Sequence, residues 1–417
     1  MLVLLLLKLL RVRGIPPAIA ALLIALAGSL PFAAIAAALD ASTPASLGAK
    51  IFRDTSLSAS GQMACATCHV PANAHAPTNA LAVQVGGADS AVPGFRAVPS
   101  LRYLNLNLPF FFQNDGTPTG GFNRDGRAQD LVAQAQVPLL AAHEMANGDA
   151  AHVADKLGNA AYADEFGKVF GAGVFADPDF ALLAAQYSLS SYELSAAEFH
   201  PYDSKFDFFL NGKVMLSAQE LRGYSLYNRP DKGNCADCHP STRQADGSPP
   251  VFTDYTYDNL GVPRNGEIPA NADPDYFDLG LCGPFRTNLA HQQQYCGQFK
   301  VPTLRNVATR QAIFHNGQFH KLVDALHFYV QRDTNPDKWY PLDANGVAQK
   351  FDDVPPLLAR NVNTVEAPYN RHPGAAPALS DDEIDDVIAF LNTLTDGYDP
   401  MTDTADPARD VPPPPNN

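Results

Sequence analysis

Apolar residues recur at helical spacing in several stretches of this chain, whereas the alternation typical of strands is rare and short. These stretches contain Leu47, Ile51 and Phe52; residues 180–194; residues 216–223; and Ile384, Val387, Ile388 and Leu391. Two pairs have the spacing of capping boxes that begin helices, Ser217 with Glu220 and Ser380 with Glu383. The pattern predicts a mostly α fold with long loops.

Two copies of Cys-x-x-Cys-His interrupt this pattern, at residues 65–69 and 235–239. Two thiols one helical turn apart can form thioethers with haem vinyl groups, and the adjacent imidazole then ligates the iron. Zinc sites and dithiol redox centres also use paired cysteines, but neither requires the adjoining histidine. The motifs therefore predict two covalently bound haems c. The predicted attachment residues are Cys65, Cys68, Cys235 and Cys238, and the predicted iron ligands are His69 and His239.

At 417 residues the chain is longer than one typical domain, which suggests one domain for each motif. We expect two cytochrome c-like helical domains, over residues 41–198 and 199–400, joined at the loop-rich residues 199–204. Residues 401–417, which end in four prolines and two asparagines, are expected to be disordered. The net charge of −15 argues against nucleic acid as a partner and favours a basic protein.

Basic residues at the N-terminus, Lys8, Arg11 and Arg13, precede a long apolar stretch that ends in alanines. This arrangement predicts a signal peptide over residues 1–39 and a periplasmic location, with an uncleaved membrane anchor as the alternative. Cys282 and Cys296 remain after haem attachment. In an oxidising compartment we expect them to form a disulfide, the alternative being two free thiols.

Three further stretches follow the haem motifs in a defined order: FNRDGRA at residues 122–128, NLGVPRN at residues 259–265 and VPTLRNV at residues 301–307. Together with both haem motifs, they resemble the bacterial di-haem cytochrome c peroxidase and MauG family over most of residues 45–395. The resemblance implies a peroxide-reacting haem in the first domain and an electron-transfer haem in the second.

The resemblance also implies site residues. In the family a Gln and a Glu that follow the DGR segment line the peroxide pocket, and Gln134 and Glu144 match them. A carboxylate above the iron can move a proton between the peroxide oxygens as their bond breaks, and an amide can orient the peroxide. We therefore expect Glu144 and Gln134 to be catalytic and Arg127 to support the pocket or a haem propionate.

Two positions favour the MauG side of the family. Val85 stands where classical peroxidases have a distal His, so we expect the first haem to be open without prior reduction. Tyr329 stands where they have a Met ligand to the second haem. A tyrosinate ligand would lower the iron potential; the alternative is that Tyr329 only packs on its helix.

Two further positions depart from the family. Arg124 replaces the usual Trp between the haems, and a guanidinium cannot be oxidised, so electron transfer would need other aromatics or a direct path. Ala97 replaces an Asn ligand to calcium, which leaves only backbone carbonyls for that ion. The resemblance therefore implies two haems c and leaves calcium open.

These features predict an exported di-haem peroxidase that reduces hydrogen peroxide at the first haem with electrons passed via the second. The expected partners are hydrogen peroxide and a small electron-donor protein, a cytochrome c or a cupredoxin. One alternative is a MauG-like enzyme that uses peroxide to oxidise a side chain of a partner protein. Another is a non-catalytic di-haem electron carrier. A membrane contact is expected only if the N-terminal segment is retained.

Overall fold

Helices are the main regular elements, between long loops, in the part of the chain that the computed structural model describes, residues 42–409 and 411. The predicted signal peptide or anchor lies outside these residues. Among the described helices, none combines the length and the apolar character that a membrane crossing requires. From Pro44 onward, the described residues belong to one compact unit.

The helices of the N-terminal half are α1 (Pro44–Ile51), α2 (Cys65–Cys68), α3 (Leu131–Leu140), α4 (Ala150–Asn159), α5 (Ala163–Phe170) and α6 (Pro178–Ser195). Those of the C-terminal half are α7 (Lys205–Leu210), α8 (Ala218–Tyr227), α9 (Cys235–Cys238), α10 (Leu322–Gln331) and α11 (Asp381–Asn392). Short 3-10 helices lie in the loops at Thr55–Leu57, Pro71–Asn73, Leu104–Leu106, Val174–Ala176, Ala197–Phe199, Pro269–Ala272, Gln293–Tyr295, Val307–Thr309, Pro336–Lys338 and Pro356–Asn361.

The described strands are two residues long and form antiparallel pairs. They are β1 (Val85–Gly86) with β2 (Val92–Pro93), β3 (Phe111–Phe112) with β4 (Pro118–Thr119), β5 (Tyr257–Asp258) with β6 (Phe299–Lys300), and β7 (Tyr398–Asp399) with β8 (Thr404–Ala405). Such short pairs fix loops and add little to the core.

Both predicted capping boxes are present. The Ser217 hydroxyl accepts a hydrogen bond from the Glu220 backbone, and the Glu220 carboxylate accepts one from the Ser217 backbone, at the start of α8. Ser380 and Glu383 make the same reciprocal pair at the start of α11. These bonds satisfy backbone donors that a helix cannot satisfy internally.

The two halves share one packing plan. Helix α1 crosses α6, and helix α8 crosses α11. At each crossing a glycine lets the backbones touch, because a Cβ on Gly48 would collide with the Ser188 carbonyl and one on Gly223 with the Asp386 carbonyl. In each half the short helix with the two cysteines follows the first helix of the pair, so the crossing supports the haem motif.

Each half has its own cluster of buried apolar side chains, one between Leu47 and Phe199 and the other between Phe206 and Leu394. Buried polar contacts join the halves: the Tyr103 hydroxyl donates to Asp396 over 2.5 Å, and Arg102 Nη1 donates to the same carboxylate over 2.7 Å. The division into domains at residue 198 stays a prediction.

Two outcomes concern the remaining sequence-based expectations. Cys282 and Cys296 form a disulfide with Cα atoms 5.0 Å apart, as predicted. Within residues 401–409, β8 pairs with β7 and Arg102 Nη2 donates to the Pro407 carbonyl over 3.0 Å, while the disorder expected for the rest of residues 401–417 stays a prediction. The proline-rich composition of the C-terminus gave no indication of these contacts.

Candidate haem sites and peroxide pocket

A cavity of about 180 Å³, called the first cavity here, contains the first Cys-x-x-Cys-His motif. Its lining includes all the residues that the sequence assigns to the first haem and the peroxide pocket: Cys65, Cys68, His69, Arg127, Gln134 and Glu144. Burial, reinforced by Arg310, lowers the pKa of His69 to about 4. A neutral imidazole is the form that ligates iron.

Glu144 lies on the turn that follows α3, where the Gly87 backbone donates to its carbonyl over 2.8 Å. Its side chain is 39% exposed, and one carboxylate oxygen lies 3.5 Å from His143 Nε2. The carboxylate therefore contacts both the cavity and solvent. This position allows it to exchange a proton with water and to deliver it inside.

Gln134 projects from the middle of α3, and its side-chain Nε2 donates to the Asn123 Oδ1 atom over a long 3.4 Å. Gln134 lines the first cavity and also a second, larger cavity that contains the second Cys-x-x-Cys-His motif. It therefore lies between the two predicted haem sites. The structure thus brings Gln134 and Glu144 to one cavity. Their catalytic roles stay predictions.

Arg127 is tied to the wall of the first cavity. Its Nη1 atom lies 3.0 and 2.9 Å from the two carboxylate oxygens of the fully buried Asp125. Arg96 Nη1 donates to the same carboxylate over 2.8 Å. Burial alone would raise the pKa of Asp125, but the two guanidinium groups hold it below its ordinary value. Arg127 was predicted to support either the pocket or a haem propionate, and its contact with Asp125 favours support of the pocket.

Glu193 is a residue of the first cavity that sequence reasoning missed. It lies on α6 with its side chain buried, and its Oε2 atom has no hydrogen-bond partner among the described residues. Burial raises the pKa of Glu193 to about 8, so the carboxyl is mostly protonated at neutral pH. A single glutamate in a helical stretch gives no signal of this burial, because most such residues face solvent.

Val85, which stands where classical peroxidases have a distal histidine, belongs to β1 and lines the first cavity. Its side chain carries no atom that can ligate iron. The structure therefore places an apolar group, with no ligand of its own, at the wall of the cavity that holds His69.

The second motif opens into a larger cavity of about 280 Å³, called the second cavity here. His239 Nδ1 lies 2.8 Å from the Phe252 carbonyl oxygen, which fixes the imidazole and leaves Nε2 available for a metal. Burial lowers the pKa of His239 to about 4. Cys235, Cys238 and Tyr329 line the same cavity.

Tyr329 lies on α10 with its ring centroid 5.4 Å from that of Phe314 and 6.0 Å from that of Tyr369. Burial raises the pKa of its hydroxyl, with further contributions from Cys238 and Cys235. A tyrosinate at this position therefore depends on a nearby cation such as ferric iron. The shared cavity is compatible with ligation, which stays a prediction.

Three partly buried cations lining the second cavity make no ion pair within the described part of the chain: Arg124, Lys300 and Arg310. Burial is the main cause that lowers the pKa of Lys300 to about 7, that of Arg124 to about 9 and that of Arg310 to about 10. Unpaired buried cations are costly, and haem propionates are carboxylates that would compensate them. Together with the Cys-x-x-Cys-His motifs, the cations therefore fit a haem.

Backbone carbonyls near Ala97 were the remaining candidate ligands for calcium, and two of them accept hydrogen bonds from these cations. Arg124 Nε donates to the Ala97 carbonyl over 2.9 Å, and Arg310 Nη1 donates to the Val98 carbonyl over 3.1 Å. Guanidinium groups thus lie where the sequence suggested that a metal ion could be coordinated by backbone oxygens.

Comparison with known proteins agrees with this arrangement. Residues 42–215 match the family model described as di-haem cytochrome c peroxidase. The chain is 35% identical to the methylamine utilization protein MauG of Paracoccus denitrificans over 86% of this chain and 90% of that protein. It is 30% identical to the cytochrome c551 peroxidase of Pseudomonas aeruginosa over 67% of this chain and 69% of that protein.

Among solved structures, the diheme peroxidase BthA of Burkholderia thailandensis superposes with a TM-score of 0.78 and 38% identity, covering 87% of this chain and 89% of that one. Fold, site and similarity define a di-haem oxidoreductase of cytochrome c type. The chain belongs to the di-haem cytochrome c peroxidase and MauG family. It therefore carries two c-type haems and uses peroxide, and its mostly α fold is confirmed. The family is typically exported.

Proposed function

We propose that this protein reduces hydrogen peroxide to water at the haem site of the first cavity. The electrons for this reaction arrive through the haem site of the second cavity. The balanced reaction consumes one peroxide, two electrons and two protons and yields two waters. The observation that carries the proposal is the position of Glu144, a solvent-connected carboxylate that lines the same cavity as the first haem motif. The haem, when bound through Cys65, Cys68 and His69, supplies the iron that exchanges electrons with peroxide.

The side chains of the first cavity supply the proton chemistry. Glu144 accepts a proton from the peroxide oxygen that the iron would bind. It delivers this proton to the other peroxide oxygen, which leaves as water. His143, 3.5 Å from Glu144, can replace the proton from solvent. Gln134 orients the peroxide with its amide donor, because its present hydrogen bond to Asn123 is long and easily exchanged.

The second cavity serves electron entry. Cys235, Cys238 and His239 would hold the haem there, with Tyr329 as the second iron ligand, and that haem would supply the redox centre that takes electrons from a small carrier protein such as a cytochrome c or a cupredoxin. The net charge of −15 suits a basic carrier. The export typical of the family and the predicted signal peptide support a periplasmic location.

Substitution of Glu144 tests the proposal. Glu144→Gln keeps the shape of the side chain and removes its acid–base function, so peroxide turnover should fall about 100-fold. Glu267→Gln is the matched control, since Glu267 is also an exposed carboxylate beside a histidine, 3.2 Å from His320 Nε2. The proposal fails if Glu144→Gln and Glu267→Gln have equal, wild-type rates of peroxide consumption.

A MauG-like reaction is the second candidate. Tyr329 in the second cavity and the 35% identity to MauG over most of both chains favour it. In that reaction the electrons would come from a side chain of a partner protein. Peroxide consumption that requires this partner, and stops when its target side chains have been oxidised, would identify the MauG-like reaction.

A further inference from the structure

Among the described Lys and Arg residues, the partly buried Arg124 is the one that both cavities share. It lines the first cavity together with Arg127 and the second together with Lys300 and Arg310. By contrast, Lys300 and Arg310 line only the second cavity, and Arg127 only the first. The guanidinium of Arg124 therefore lies at the boundary between the two predicted haem sites.

The hydrogen bonds of Arg124 leave much of its guanidinium free. Nε donates to the Ala97 carbonyl over 2.9 Å, and Nη2 donates weakly to the Val98 carbonyl over 3.4 Å. A guanidinium has five N–H donors, so about three of them remain for other acceptors. These donors form a planar fork that matches carboxylates in a bidentate manner.

No carboxylate of the described chain forms an ion pair with Arg124. Asp125 and Asp278 are instead bound by Arg96, which lies 2.8 Å from the first and 2.6 Å from the second. Burial lowers the pKa of Arg124 to about 9, with further contributions from Arg310 and Arg96, and the attraction of Asp278 offsets this only in part. The site therefore presents an incompletely compensated positive charge to both cavities, which favours an anionic ligand.

We propose that Arg124 is an electrostatic bridge between the two haems, binding a propionate of each and raising the reduction potentials of both. Arg124 raises the potentials because a positive charge near the iron destabilises the ferric state relative to the ferrous state. Because a guanidinium cannot be oxidised, Arg124 couples the haems through charge and carries no electron itself. The proposal rests on haem occupancy of both cavities and is independent of the reaction proposed above.

The test is a spectroelectrochemical titration of the full protein after intact mass has shown two haems per chain. Arg124→Gln should lower the potentials of both haems. Lys300→Gln should lower only that of the second haem, since Lys300 lines only the second cavity and does not contribute to the lowered pKa of His69. Arg124→Lys keeps the charge and should restore most of the shift in both potentials.

Three results would overturn the proposal. One is an Arg124→Gln protein with two haems whose potentials equal those of the wild type. The second is a shift confined to one haem, and the third is an Arg124→Lys protein with potentials as low as those of Arg124→Gln. If Arg124→Gln does not fold, the comparison of Arg124→Lys with Lys300→Gln decides. Both potentials should stay near those of the wild type in Arg124→Lys, whereas only the potential of the second haem should fall in Lys300→Gln.

Discussion

The imidazole Nδ1 of His239 lies 2.8 Å from the carbonyl oxygen of Phe252. This contact directs the other ring nitrogen away from the backbone and toward a metal, as a hydrogen-bonded histidine ligand requires. Tyr329 lines the same cavity and is the second protein ligand that we propose for that iron. The identity of the second ligand then controls the potential of that haem.

Tyr329→Met should therefore raise the reduction potential of the second haem, because a neutral thioether favours ferrous iron and an anionic tyrosinate favours ferric iron. Redox titration measures the change. Tyr369→Phe is the control, since its ring is 6.0 Å from that of Tyr329 and it loses only a hydroxyl in the same cavity. An equal potential in wild type and Tyr329→Met would mean that Tyr329 only packs on its helix.

The oxidised protein should contain one high-spin and one low-spin haem. Val85 lines the first cavity and cannot ligate iron, so the position opposite His69 should be empty or taken by water. Electron paramagnetic resonance at rest separates the two spin states. Two low-spin signals would show that another side chain caps the first haem.

The stability of the protein should fall as pH rises because of Glu193. Burial raises the pKa of its carboxyl to about 8, so between about pH 5 and pH 8 the folded chain keeps a proton that the unfolded chain releases. The slope is at most about 1.4 kcal/mol per pH unit. Glu193→Gln should remove this dependence in urea unfolding at several pH values. Equal slopes for Glu193→Gln and wild type would show that Glu193 is ionised in the folded protein.

The buried ion pair of Arg305 and Asp207 should be essential for stability. Two guanidinium donors of Arg305 each lie 2.8 Å from a different carboxylate oxygen, and both side chains are almost fully buried. Arg305→Gln leaves an uncompensated carboxylate and should cost about 3–5 kcal/mol of unfolding free energy.

The control for this pair is Arg229→Gln, which breaks an exposed pair with Asp231. It should cost much less unfolding free energy than Arg305→Gln, because solvent screens an exposed ion pair. Thermal unfolding of both variants makes the comparison. Equal losses in the two variants would show that burial adds nothing to the Arg305 pair.

Local patterns were sufficient for the haem motifs and for four of the helices, α1, α6, α8 and α11. The capping boxes at Ser217 and Ser380 predicted where α8 and α11 begin, because their chemistry is contained within four residues of chain. The family resemblance also predicted that Gln134 and Glu144 would meet at one cavity. Both kinds of prediction rest on short segments with characteristic residues.

Long-range burial could not be predicted in this way. Arg124, Lys300 and Arg310 are far apart in sequence, and only the folded chain shows that they line one cavity without carboxylate partners. Glu193 looks like a solvated helix residue until its burial is known. The ordered residues after 400 depend on contacts with distant side chains, such as that of Arg102 with Pro407.

The stoichiometry of peroxide reduction tests the central claim most directly. The purified di-haem protein, supplied with a reduced small cytochrome c and hydrogen peroxide, should oxidise two equivalents of the carrier for each peroxide consumed, over many turnovers and without any other protein. Glu144→Gln should keep the ratio and lose about 100-fold in rate. Peroxide consumption that leaves the carrier reduced, and that resumes only when a second protein is added and becomes oxidised, would contradict the account.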